Sequence, residues 1–454
     1  MPHSTPKRPP SVSRWTSIRR AAKFVANPIP ILDDNIRNCG QTYQFHIGGL
    51  QPGIVTIDPA VIQHVLQKNH RNYRKSKIQT GILAHYVGQG LLTSDGPYWL
   101  QQRRLIQPGF HRERLATLVS LMNSEINTYI SQLEKQITHL PTVSLNQDMH
   151  RLAFRIVAKT LFSTALAEED LQRLSNQISE LQSYIVKEIR QPFFRWWFKL
   201  SGQRSHHERL ADETKSIITK LIRQRISSGN RADDLLQMLL DTRYEDTGEP
   251  MSEQQVLDES LILFVAGHET SANALSWILY LLSQNAQALG ELRREVDNQL
   301  GAEIPDFTKL PQLIYTTQVI EESLRLFPPA WIIDRVAIDD DEIAGYHIAK
   351  NTLMILYVYG THHNPKYWPS AEDFDPTRFS PNQKKAIKPF TYFPFGGGPR
   401  MCIGNNFAMM EMQLIVSRLV QHFDFRLLNA SEIGLMPMVT LRPGADMLFK
   451  VTRR

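Results

Sequence analysis

From Gly96 to about residue 300 the apolar residues of this chain recur at spacings of three and four, the period of helices that bury one face. The middle of the 454-residue chain must therefore fold as helix packed on helix. What flanks this block has a different period. Tyr43–Ile47 and Ile54–Ile57 are short strand-type runs around the turn residues Gly48-Gly49 and Pro52-Gly53, and Pro59 opens a helix that ends near Lys68. Residues 331–361 turn strand-like, with alternation in AGYHIAKNTLMILYVYG, and irregular proline- and aromatic-rich chain follows through 398. A helix is expected from about 404 to 421, then a hairpin about Pro443-Gly444. The expected fold is mainly α, an α-rich α+β protein: a flexible basic tail over 1–20, then one large helical domain over 21–454 with small peripheral β-sheets.

Two stretches break the pattern. Residues 70–95 are polar, glycine-dotted and poorly periodic, and a loop that long in a compact domain usually has a function. Residues 191–203 read QPFFRWWFKLSGQ, too aromatic and basic for an ordinary linker. They are either a helix–helix corner packed on the core or an entrance lip that touches a membrane surface or an apolar ligand.

Composition excludes several classes. Lys plus Arg (51) barely exceed Asp plus Glu (45), and no zinc-finger or RNA-binding spacing occurs, so no nucleic-acid partner is expected. Two cysteines, Cys39 and Cys402, make neither a disulfide framework nor an iron–sulfur site. The N-terminus lacks the apolar core of a signal peptide, and no apolar run approaches the ~20 residues of a transmembrane helix. A cytoplasmic monomer without a transmembrane segment is the expectation.

The most informative segment is PFGGGPRMCIGNNFAMMEMQL, Pro394 to Leu414. Its glycines permit positive φ and close backbone approach to a flat ligand. Cys402 lies just before a helix, where the positive end of the helix dipole favours thiolate over thiol. A thiolate there could ligate a haem iron. An inert buried thiol or a cysteine nucleophile are the other readings of the same residue. A phosphate loop would need a following Gly-Lys-Ser/Thr, which is absent.

Phe395, Gly398, Arg400, Cys402 and Gly404, spaced F-x-x-G-x-R-x-C-x-G, resemble the haem-binding loop of the cytochrome P-450 family. Ala266-Gly267-His268-Glu269-Thr270-Ser271, within a helix expected over 253–284, resembles that family's oxygen-binding segment. Four residues separate Thr270 from Ala266, so the hydroxyl can compete for that carbonyl and loosen the helix, and Gly267 would make the distortion cheaper. Glu322-Ser323-Leu324-Arg325 and Phe374-Asp375-Pro376-Thr377-Arg378-Phe379 match the E-x-x-R and F-x-P-x-R-F elements, and Trp99 with Arg103 matches W-x-x-x-R.

The resemblance implies a cytochrome P-450 fold holding haem b, with Cys402 as the iron ligand. It implies that Thr270 steadies the activated oxygen and that Glu269 helps relay protons. Glu322, Arg325 and Arg378 would form a buried brace. Trp99, Arg103, Arg400 and Arg335 would receive the haem propionates. The implied reaction is O2-dependent hydroxylation or epoxidation of a hydrophobic small molecule, such as a fatty acid or a terpenoid or steroid-like lipid. No flavin- or nicotinamide-binding pattern occurs, so two electrons must come from a separate donor, a ferredoxin or a flavodoxin/reductase. Arg104, Arg112, Arg114, Lys384, Lys385 and Lys388 would dock it. The implied pocket is lined by residues from 70–90, Leu263, Phe264 and Ala266, Ala330–Ile333 and Met436–Val439. The alternatives are a haem-thiolate isomerase or dehydratase needing no electrons, and a haem sensor or electron carrier.

Overall fold

The computed structural model describes residues 7–47, 51–163 and 168–454. The expected helical block is there, built from Gly96–Ile106, Arg112–His139, Leu145–Phe162, Glu168–Arg190, Gln203–Ser228, Glu253–Gln284 and Ala286–Gln299. Ile314–Leu326 and Asn405–His422 complete the long helices. Glu253–Gln284, the central helix, has 32 residues and so is about 48 Å long. It begins at a reciprocal cap: the Ser252 hydroxyl accepts from the Gln255 N–H at 3.2 Å, and the Gln255 side chain accepts from the Ser252 N–H at 2.8 Å.

The central helix is apolar on most of its surface and lies in the middle of the largest hydrophobic cluster. Phe264 meets Phe154 of Leu145–Phe162 edge-on, with ring centroids 4.7 Å apart. A Cβ on Gly267 would stand 3.2 Å from Val157, so this glycine lets the two helices approach closely. Trp277 stacks on Phe327 at 4.1 Å and donates its indole N–H to the Leu441 carbonyl at 3.2 Å.

The sheets are peripheral, as expected. One has the strand order Thr42–Ile47, Gln51–Thr56, Leu353–Leu356, Ile333–Ala337, Tyr73–Arg74. Gln51–Thr56 runs parallel to Leu353–Leu356 (Ile54 opposite Met354), and the remaining pairs are antiparallel. Another joins Thr142–Ser144, Leu448–Arg453 and Phe423–Leu427.

Several local expectations are corrected. Residues 7–20 are docked: Lys7 and His347 form a backbone bond at 3.0 Å, Val12 donates to the Gln44 carbonyl at 2.9 Å, and Ser13 caps the helix Arg14–Arg19. Burial of Val12 beside Tyr43 and Phe45 explains why this part of the expected tail is held. Residues 1–6 lie outside the described residues, as do Gly48 and Gly49 of the expected turn. Residues 70–95 contain a strand, Tyr73–Arg74, a wide helical turn, Ile78–Leu83, and the helix Ala84–Val87. The strand signal expected through 361 stops at Leu356, and Val358–His362 is helical. The C-terminal hairpin does not form. Leu441–Pro443 pairs back with Leu435–Pro437, whereas Leu448–Arg453 joins a different sheet, where Phe449 and Val451 reach the main core. Alternation gives a strand its faces but does not choose its partner.

Candidate functional site

The cysteine loop is shaped by its own backbone. The Gly396 N–H bonds to the Phe393 carbonyl and the Cys402 N–H to the Phe395 carbonyl, each at 2.9 Å. Gly396 and Gly398 take φ of +73° and +66°, and a Cβ at Gly398 would collide with the Leu66 carbonyl. Asn405–His422 starts directly afterwards, with Gly404 at its N-terminus. Cys402 keeps exposed surface although protein packs densely around it. Burial pushes its thiol up, against the pull of the Gly404 N–H and the Arg103 charge. Arg103 donates to the Met401 carbonyl at 2.8 Å and so braces this loop.

Behind the loop stands the expected brace. Glu322 and Arg325 form a two-pronged pair at 2.7 and 2.8 Å with both side chains fully buried, and Arg378 approaches Glu322 at 3.4 Å. Arg325 also donates to the carbonyls of His362, Ala371 and Asp373. The ring nitrogen Nε2 of His362 then accepts from the Phe393 N–H at 3.0 Å. The brace thus reaches the start of the cysteine loop through His362, a residue the sequence had not singled out.

On the other side of the loop, positive charge is in excess. Arg400 pairs with Asp95, lies 4.9 Å from the Trp99 ring centroid, and has one guanidinium nitrogen buried without a partner among the described residues. Buried Arg335 donates to the Asp334 carbonyl at 2.7 Å, and its pKa is pushed down to about 10 by burial and then by Arg400. Buried Lys75 donates to the carbonyls of Leu91 and Leu92 at 2.7 and 2.8 Å. Burial, then Arg400 and Arg335, push its pKa down to about 7. The Asp334 carboxylate is engaged by Ser76 and Gln79. Two buried cations beside a third, partly buried one, with so little counter-charge, are costly by themselves and suit a dianionic ligand. The two propionates of a haem held by Cys402 would fit this donor set. Lys75 was not expected: within HRNYRKSK nothing distinguishes one cation from the next.

In the central helix, Thr270 Oγ1 donates to the Ala266 carbonyl at 2.8 Å, as the spacing predicts. The helix nevertheless runs unbroken from 253 to 284, and Gly267 serves packing on Val157 rather than distortion. Glu269 is 2% exposed. Its Oε1 accepts from Arg442 Nε at 2.6 Å and from Thr440 Oγ1 at 2.5 Å, and Arg442 also donates to Gln182 at 3.0 Å.

A family model described as Cytochrome P450 matches residues 9–446. The chain belongs to the cytochrome P450 family. Its relatives include "Putative cytochrome P450 132" of Mycobacterium bovis, 32% identical over 85% of this chain and 84% of that protein. "Cyclooctatin synthase" of Streptomyces melanosporofaciens is 30% identical over 87% of this chain and 85% of that protein. "Cyclooctat-9-en-7-ol 5-monooxygenase" of the same organism is 31% identical over 75% and 73%. The chain is therefore a haem b monooxygenase. No described helix is long and apolar enough to cross a membrane.

In this P450 a cavity of about 870 Å³ reaches Ala266, Glu269 and Thr270. The central helix contributes Leu261, Val265 and Glu269, one face at four-residue spacing. Expected Phe264 is instead fully buried against Phe154, and Leu263 packs on the core. Ile78, Gln79, Leu83, Tyr86 and Val87 of the 70–90 segment line the cavity, and so do Ala330–Ile332, Met438 and Val439 of the other expected stretches. The N-terminal residues Phe24 and Val25 were missed, because apolar residues near a chain end carry no chemical signature. Residues 191–203 divide between core and surface. Phe198 is buried, whereas Phe193 and Phe194 are half exposed and line the cavity, and Trp196 and Trp197 face outward.

Proposed function

We propose that this P450 hydroxylates or epoxidises a bulky apolar lipid of terpenoid or steroid type. The observation that carries the reading is the cavity: its walls are overwhelmingly apolar from the 192–194 lip to Thr270. The names of two relatives, a cyclooctatin synthase and a cyclooctat-9-en-7-ol 5-monooxygenase, agree with a substrate of this kind.

Cys402 would hold haem b at its iron and Lys75, Arg335, Arg400 and Trp99 would receive its propionates; the group would supply the oxygen-activating chemistry. The residues of this chain do the rest. The apolar wall orients the substrate and excludes water. Thr270 Oγ1 can turn from the Ala266 carbonyl to donate toward the cavity, and Glu269 is the adjacent acid able to pass protons to it. One oxygen atom goes to the substrate and the other leaves as water, with two electrons and two protons taken up. The electrons come from an acidic ferredoxin or flavodoxin-type donor docked at Arg104, Arg112, Arg114, Lys384, Lys385 and Lys388. All six are exposed, and Arg104 adjoins the Arg103 that braces the cysteine loop.

A second reading, a long-chain fatty acid, is favoured by Arg190. This cavity-lining cation donates to the carbonyls of Val25 and Pro437, and no carboxylate pairs with it among the described residues. Titrating the haem-loaded protein with both lipid classes and following the haem absorption tests the choice. Tight shifts from neutral ring-containing lipids support the main reading. Tight shifts from fatty acids alone, lost in Arg190→Met, support the second, and no shift with either class overturns both.

A further inference from the structure

Away from the haem site, Glu180 of Glu168–Arg190 faces His206 and His207 in the opening turns of Gln203–Ser228. Among the described residues this is the one group of three His, Cys, Asp or Glu side chains whose donor atoms all lie within 4.8 Å of one another. Glu180 Oε1 is 2.9 Å from His206 Nε2 and 3.8 Å from His207 Nε2. Three ligands at ~2.05 Å in a tetrahedron stand about 3.3 Å apart, so the two measured separations bracket the required edge.

His207 is also prepared as a ligand. His207 Nδ1 is 2.7 Å from the Gln203 carbonyl, which only a protonated Nδ1 can satisfy. That tautomer leaves the lone pair on Nε2, the atom aimed at Glu180. The ring is locked by stacking on Tyr184, at 3.8 Å between centroids and 11° between planes. The His206 ring meets it edge-on at 5.0 Å.

We propose that Glu180, His206 and His207 bind one divalent transition-metal ion of zinc type, with water as fourth ligand. Two imidazoles and a carboxylate suit zinc and discriminate against magnesium. The ion ties together the two helices that flank residues 191–202. Ile185, Ile189, Pro192, Phe193 and Phe194 of this region line the substrate cavity. A ligand that binds the paired helices and not the separated ones stabilises the pairing. Zinc therefore holds the lip in the arrangement seen here and slows substrate exchange.

The test uses the haem-loaded, chelator-treated protein titrated with zinc chloride in a calorimeter, with magnesium chloride as control. The expected result is one zinc per chain, no magnesium binding, and affinity reduced at least about tenfold in Glu180→Gln and in His206→Gln. Both residues are about half exposed, so the substitutions leave the core untouched. Should His206→Gln melt early without metal, Glu180→Gln alone carries the comparison. Amide exchange over 191–202 should slow with zinc in the parent protein and not in Glu180→Gln. Absence of zinc binding in the parent protein, or equal affinity in parent and Glu180→Gln, overturns the proposal.

Discussion

Arg442 Nε donates to Glu269 Oε1 at 2.6 Å, so the acid proposed to relay protons is held by a cation from a distant strand. Thr440 bonds the same oxygen, and Gln182 of the cavity-lining helix takes the other arm of Arg442. Glu269→Gln is expected to lower product formation by about 10²-fold or more while substrate-induced spectral shifts persist. Arg442→Met leaves a buried carboxylate unpaired and should cost about 3–5 kcal/mol in thermal or denaturant unfolding. Normal turnover in Glu269→Gln would remove this residue from proton delivery.

Thr270→Ala keeps the cavity and deletes the hydroxyl that sits on the Ala266 carbonyl. Electron consumption should continue, with peroxide released in place of about nine-tenths of the product. The measurement is product formed per electron pair supplied. An unchanged ratio would assign the hydroxyl to local helix structure.

The cation cluster predicts how tightly haem is held. Lys75→Met removes one charge from the group that also contains Arg335 and Arg400. Haem retention against competition by an apo-globin should weaken by about tenfold, equivalent to ~1.4 kcal/mol. Cys402→Ser should leave haem bound but abolish the thiolate signature of the ferrous–CO spectrum. Survival of that signature would exclude Cys402 as the ligand.

His362 predicts a pH dependence. Burial, then His363 and Arg325, hold its pKa well below the ordinary imidazole value, which keeps Nε2 free to accept from the Phe393 N–H. Unfolded, the same residue gains a proton below pH ~6.5. The unfolded state then binds more protons than the folded one, so stability falls as pH falls, by up to about 1.4 kcal/mol per pH unit. His362→Asn lacks this proton. It should be less stable than the parent near neutrality, and the gap should narrow toward about pH 5. Paired unfolding curves at the two pH values check this, and a constant gap would contradict it.

Much of the site was legible before any fold was known, because its chemistry sits in short contiguous segments. F-x-x-G-x-R-x-C-x-G needs Gly398 for a backbone that approaches Leu66, and the Thr270–Ala266 contact is local to one helical turn. Glu322 and Arg325 are one turn apart and meet by helix geometry alone. Residues without such a local signature stayed hidden. Lys75 was one cation in a basic run, and Arg442 finds Glu269 only across 173 positions of sequence.

The sequence by itself determined the long helices, the glycine-shaped cysteine loop and the acid–alcohol pair, since each depends on contacts between residues a few positions apart. Tertiary packing alone decided which face of the central helix lines the cavity, where Leu448–Arg453 finds its partners, and that residues 7–20 are docked. These outcomes depend on which distant apolar surfaces meet, as Phe264 on Phe154 and Val12 beside Tyr43 demonstrate. A sequence period specifies that a face will be buried, and only the assembled neighbours specify against what.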